Sequence, residues 1–246
     1  DLGAASARLR GAGFDVRPGG RHVGFGTENA ICRFGLDYLE LITVHDAAEA
    51  ERASDRSREL AQYLSRHESG YVGFALAGDD LTRIAERLRA IGVPVEGPTP
   101  MRRQRPDGTV LEWQLMIPGG VAWRRPWPFF IAWGLPDDRR LALERPGTHE
   151  NGATGIAGIS IAVADLAPAR ELYEAMLGPA TDGPGGGLRF HAGDVEVDVM
   201  APIEGSHLLE RGPGPFEVRL RLAPGTAGSP IEPLPQVRFS FEGSSR

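Results

Sequence analysis

The sequence predicts an α+β protein made of repeated β-α-β-β-β units, whose curved mixed sheets surround a cleft. Three observations carry this. The heading Asp1-Leu2, with Arg8-Leu9-Arg10 and Gly13-Phe14 behind it, recurs as Asp80-Leu81, Arg87-Leu88-Arg89 and Gly92-Val93, and more faintly from Asp165-Leu166 to Gly178. Apolar residues at helical spacing follow each Asp, which stands as N-cap, and a Gly closes each pattern. Glycine-flanked apolar runs, Gly70–Gly78 and Gly155–Val163, precede the second and third headings and read as strands.

Taken in order, the first helix is followed by a short strand near 21–24, a strand at 30–34, a turn at Gly35-Leu36-Asp37 and a strand from Tyr38 to Val44. In that last strand Leu39, Leu41 and Thr43 share one side, and Tyr38, Glu40 and Ile42 the other. By the same register a strand is expected ahead of the first helix, from about ten residues before Asp1. The charged, alanine-rich stretch 47–67 reads as helical. The second unit supplies strands at about 99–104, 110–116 and 128–134, with a tight turn at Asp107-Gly108. Polar, turn-rich 136–151 reads as a linker between a paired domain, 1–135, and a C-terminal part, 152–246. That part carries strands at 188–192 and 195–200 about a hairpin tip at 183–187. It continues with alternating strands at 216–222 and 237–241, separated by a Pro/Gly/Ser-rich loop, 224–235. A complete fourth unit is not visible.

Composition narrows the partners. Net charge is −6, which argues against nucleic acid and against an anionic membrane surface. No apolar run is long enough to span a bilayer. The single cysteine, Cys32, excludes an intramolecular disulfide, suits a reducing compartment such as the cytoplasm, and reads as a small core residue. A homodimer is the expected assembly, being the commonest.

Gly20-Arg-His-x-Gly-x-Gly-Thr-x-Asn29, followed by Tyr38-Leu-Glu-Leu41, resembles the glyoxalase-like domains of the vicinal oxygen chelate superfamily. Arg105-Pro-Asp-Gly-Thr-Val-Leu-Glu-Trp113 and Pro128-Phe-Phe-Ile-Ala-Trp-Gly134 fit the same family in the same order. The likeness covers about residues 1–135, with a weaker echo at 152–201. It implies one divalent metal ion on a concave sheet face, with His and Glu ligands on the first and last strands of paired units. Glu40 occupies the last-strand position. The matching positions Gly73, Ile131 and Gly158 carry no ligand, whereas Glu196 mirrors Glu40 in the third unit.

The residues themselves suggest a cleft for a small-molecule ligand. His22, whose imidazole can give or take a proton, and Glu40 are the candidate catalytic groups. Arg21, Thr27 and Asn29 gather donors and acceptors around them. Trp113, Gln114 and Trp133 are candidate ligand contacts, and Trp113, Trp123, Trp127 and Trp133 cluster in sequence as an aromatic wall or as core. His149 and Asn151 either cap the following strand or reach the cleft. Two functions stay open. One is a metal-dependent lyase, isomerase or dioxygenase acting on an oxygen-rich molecule. The other is a non-catalytic protein that sequesters an aromatic metabolite or antibiotic.

Overall fold

A computed structural model describes residues 1–104, 108–120, 123, 125–202 and 212–242. The chain divides into two compact units interleaved in sequence. Unit 1 comprises 1–71, 141–159 and 216–246; unit 2 comprises 72–140 and 160–215.

In unit 1 the first helix, α1 (Leu2–Gly11), is capped by Asp1, whose carboxylate accepts from the Gly3 and Ala4 amides. Three antiparallel strands follow, β1 (Arg17–His22), β2 (Thr27–Arg33) and β3 (Tyr38–Val44), in the order β1-β2-β3. β3 has the expected bounds. β1 and β2 begin earlier than expected, because the Gly-rich stretch is drawn into the hairpin. The helical stretch beyond breaks into α2 (Ala47–Ala53) and α3 (Asp55–Leu64), since Ser54 is extended and caps α3. α1 packs on β2 and β3, with Leu9, Ala30 and Cys32 buried. Beside them Phe14, Phe34, Phe239 and His149 form an aromatic cluster, ring centroids 4.4–6.3 Å apart.

Unit 1 also holds most of β8 (Ala153–Ala162) and β12 (Gly214–Leu222), together with β13 (Ile231–Leu234) and β14 (Val237–Phe241). β12 runs parallel to β14, and β13 antiparallel to it. This is a correction to the loop expected across 224–235: its end, Ile231–Leu234, is a strand. β12, β13 and β14 take the positions of the first, third and fourth strands of a unit whose helix is missing. Pro224, Gly225, Gly228 and Pro230 stand where that helix would form, and Pro and Gly are the poorest helix formers.

Unit 2 contains β4 (Ala75–Ala77), α4 (Leu81–Ala90), β5 (Val95–Gln104), β6 (Val110–Pro118) and β7 (Phe129–Trp133), with strand order β4-β7-β6-β5. β4 pairs in parallel with β7; the remaining pairs are antiparallel, giving a mixed sheet. β4 keeps three residues of the longer run expected, its surroundings being glycines that pair weakly. Asp137–Leu143, expected as linker, is a helix, α5, with Asp137 and Asp138 in its first turn, where the helix dipole favours acids. α6 (Leu166–Leu177), capped by Asp165, lies over β10 (Leu188–Ala192) and β11 (Val195–Met200); β9 (Thr181–Asp182) borders β10. Tyr173 is fully buried, stacks on Phe190 at 5.2 Å, and donates its hydroxyl to the Pro126 carbonyl at 2.7 Å. The Asp107-Gly108 turn lies partly outside the described residues.

Candidate functional site

The polar candidates of unit 1 are sorted by strand register. Cross-strand partners share a face, so His22, Thr27, Asn29, Ile31, Glu40 and Ile42 point one way and Arg21, Glu28, Ala30 and Cys32 the other. The second face carries the core: Ala30 and Cys32 are buried, and the Arg10 side chain of α1 lies near the Cys32 thiol. Burial pushes that thiol up to about 12, which suits packing and not nucleophilic chemistry. Arg21 therefore does not join the polar group. It is exposed, and its nearest acid is Glu28, at 3.6 Å on its own face.

On the first face the side chains meet in two hydrogen-bonded pairs. His22 Nδ1 lies 2.8 Å from the Thr27 hydroxyl, and Asn29 Nδ2 donates to Glu40 Oε1 at 2.7 Å. Thr27 and Asn29 are buried, His22 is half-buried and Glu40 exposed. Each buried member thus holds a more accessible partner, and each partner keeps a second atom, His22 Nε2 and Glu40 Oε2, for something else. Further along the face, Arg33 spreads its guanidinium over the Tyr38 ring at 4.9 Å and pairs with Glu144 at 2.6 Å.

A metal centre needs more donors than these strands supply. Glu40 is the only carboxylate that β1, β2 and β3 place on this face, and one of its oxygens is already held by Asn29. Among the described residues no three or more His, Cys, Asp or Glu side chains gather as a ligand set. A tight site generally takes three protein ligands, so the residues of this face do not by themselves fit a divalent ion. Glu196 is likewise engaged, bound to Arg189 at 3.1 Å, and Arg189 also makes a two-pronged contact with buried Asp198.

The aromatic candidates belong to unit 2. Trp113 and Trp133 are direct cross-strand partners with ring centroids 5.6 Å apart, both half-buried. Arg140, buried on α5, lies over the Trp133 ring at 4.0 Å. Gln114 points to the opposite face and is exposed. Trp127 is a packing residue: its indole N–H donates to the Pro118 carbonyl at 3.0 Å. Trp123 meets Phe129 edge-on.

His149 and Asn151 are structural. His149 Nδ1 accepts from the Asp15 amide and Nε2 lies 2.9 Å from the Arg33 carbonyl, so Nε2 carries the proton. Asn151 binds the Ala12 carbonyl and the Ala153 amide. Sequence reasoning missed the Arg33–Glu144 pair, whose members stand far apart in the chain with no local pattern to join them.

One solved structure shares this architecture. A hypothetical protein from Staphylococcus aureus, 17% identical, superposes with a TM-score of 0.71, covering 95% of this chain and 92% of its own. Methylmalonyl-CoA epimerase from Mycobacterium tuberculosis matches 40% of this chain and 93% of its own, at 19% identity and TM-score 0.31. A xylose isomerase-like TIM barrel/4-hydroxyphenylpyruvate dioxygenase fusion protein matches 90% of this chain and 34% of its own, at 15% identity and TM-score 0.48. None of the curated proteins matches. The glyoxalase-like domain profile matches residues 1–177. With that profile spanning most of the chain, the chain belongs to the glyoxalase-like domain family.

Proposed function

We propose that the open face of the β1–β2–β3 sheet binds a small oxygen-rich organic molecule, and that His22 and Glu40 move its protons as lyase, isomerase or dioxygenase chemistry requires. The observation that carries this is the pair of dyads, His22–Thr27 and Asn29–Glu40, on one strand face. A carboxylate and an imidazole, each steadied by a buried neighbour and each keeping one atom for a ligand, are the makings of an acid and a base. Arg21, on the reverse face, can grip an anionic group only from that side.

The test is a thermal-shift panel of polyols, hydroxyketones, catechols and hydroxy acids, followed by NMR of any binder in D2O. A binder whose acidic C–H exchanges with wild type, but not with His22→Gln or Glu40→Gln, supports the assignment. Exchange undiminished in both variants overturns it. Metal content is measured on the same samples: a stoichiometric divalent ion that Glu40→Ala loses would make Glu40 a ligand completed by donors outside these strands. Light scattering checks the expected homodimer.

A second reading rests on Trp113 and Trp133, a half-exposed indole pair suited to an aromatic ligand. It expects fluorescence quenching by such a ligand without turnover, lost in Trp113→Phe or Trp133→Phe.

A further inference from the structure

We infer that Asn29 is the positioning residue of this face, and that it presents Glu40 to a ligand bringing a protonated amine or a hydroxyl. The inference rests on the reading above and adds to it the device that aims the carboxylate and the chemistry that the carboxylate selects.

Asn29 is anchored from behind. The β1–β2 register shifts between Pro18 and Gly20, so Gly19 is the extra residue of a bulge beside Asn29. A side chain at Gly19 would collide with Asn29 Oδ1 and stand 2.8 Å from its Cγ. The bulge therefore brings bare backbone against one edge of the amide. Bulges recur where a strand must re-aim a side chain. With Oδ1 packed there, Nδ2 is directed to Glu40 Oε1 at 2.7 Å, the short distance of a charge-assisted bond.

A tether serving stability alone would neutralise the carboxylate, and an arginine does that best. Here the tether is a neutral amide, and Arg21 is turned to the other face. Glu40 takes part in no ion pair among the described residues, so its charge is left for whatever binds. Of the neighbours on its face, Ile31 and Ile42 are apolar, and the donors that stand further along, Arg33 and Tyr38, are engaged, Arg33 with the Tyr38 ring at 4.9 Å and with Glu144 at 2.6 Å. An acceptor-only oxygen in that setting favours a donor and repels a second carboxylate.

Two small probes with the same hydroxyl separate these cases: ethanolamine, with a protonated amine and a hydroxyl, and glycolate, with a hydroxyl and a carboxylate. The readout is the side-chain amide resonance of Asn29 in 15N-labelled full chain. In the free protein its two protons should be widely split, and Glu40→Gln, a change at an exposed residue, should collapse the splitting. Ethanolamine should shift the resonance saturably and glycolate should not. Asn29→Ala and Gly19→Ala should each weaken ethanolamine binding about tenfold, the size of one charge-assisted hydrogen bond, followed through the Glu40 backbone amide. Asn29→Ser replaces Asn29→Ala if the latter fails to fold. Equal response to both probes, no response to ethanolamine, or undiminished binding in a folded Asn29 variant overturns the inference. Exchange by His22 and Glu40 on a compound of the earlier panel would then still stand, so the two failures are distinguishable.

Discussion

Single residues carry the sharpest expectations. Asp15 accepts from Arg17 at 2.7 and 3.1 Å and from the Thr148 amide at 3.2 Å, and the Arg17 bond is the main reason its carboxyl titrates below the usual 3.8. A carboxyl favoured in its charged form by the fold stabilises above the unfolded value and ceases to do so as pH falls through the lowered folded value. Asp15→Asn should cost about 1 kcal/mol in urea unfolding at neutral pH, and the gap to wild type should close below pH 3.8. His149→Ala should cost more, about 2–4 kcal/mol, because it leaves the Asp15 amide and Arg33 carbonyl without their imidazole and opens space beside Phe34. His149 was legible as a residue with a task, but not which task. Its partners lie 134 and 116 residues away, and no spacing rule reaches that far.

At the scale of elements, what was readable was what local chemistry decides. The Asp caps at Asp1, Asp80 and Asp165 each accept a backbone amide as their helices begin. Period-two alternation located β3 and the face shared by Glu40 and Ile42. Reading the Gly-rich stretch as one donor cluster failed for Arg21, because only the pairing register decides which of two adjacent residues faces which way. The same hairpin supplies an internal comparison. Gly24 and Gly26 both have positive φ, +82° and +65°. A side chain at Gly24 meets open space, whereas one at Gly26 would strike the Asp46 carbonyl and lie 2.5 Å from the Ala50 nitrogen at the start of α2. Gly24→Ala should therefore cost about 1 kcal/mol of backbone strain. Gly26→Ala should cost at least twice that, measured as the shift in urea midpoint.

For the whole molecule, the groups with displaced titration bound the pH range of the fold. Asp15 and Asp46, both lowered from 3.8, withdraw their support on the acid side. Cys32, raised from 9.0 to about 12, and Tyr173, raised above 10.0, are neutral in the fold through burial. Their contribution is full below the unfolded values and is lost as pH climbs beyond them. Stability should thus begin to decline above about pH 9. Cys32→Ala should soften that decline, and the native thiol should resist Ellman's reagent at pH 8 until the chain unfolds. The general plan of helices over mixed sheets was legible because the headings repeat. Alternation likewise located β12 and β14, but not β13, whose Ile231-Glu-Pro-Leu234 reads as part of a turn-rich loop and is identified only by its pairing with β14.

That helix-free connection gives the chain a splice point. Residues 224–227 are exposed, and the segment is tied at its ends by Ala223 to Gly152 and Thr226 to Ala223 backbone bonds. A peptide tag or a small reporter domain inserted between Thr226 and Ala227 would cross no packed interior. Lengthening such a loop adds little closure entropy, so the fusion should melt within a few degrees of the parent.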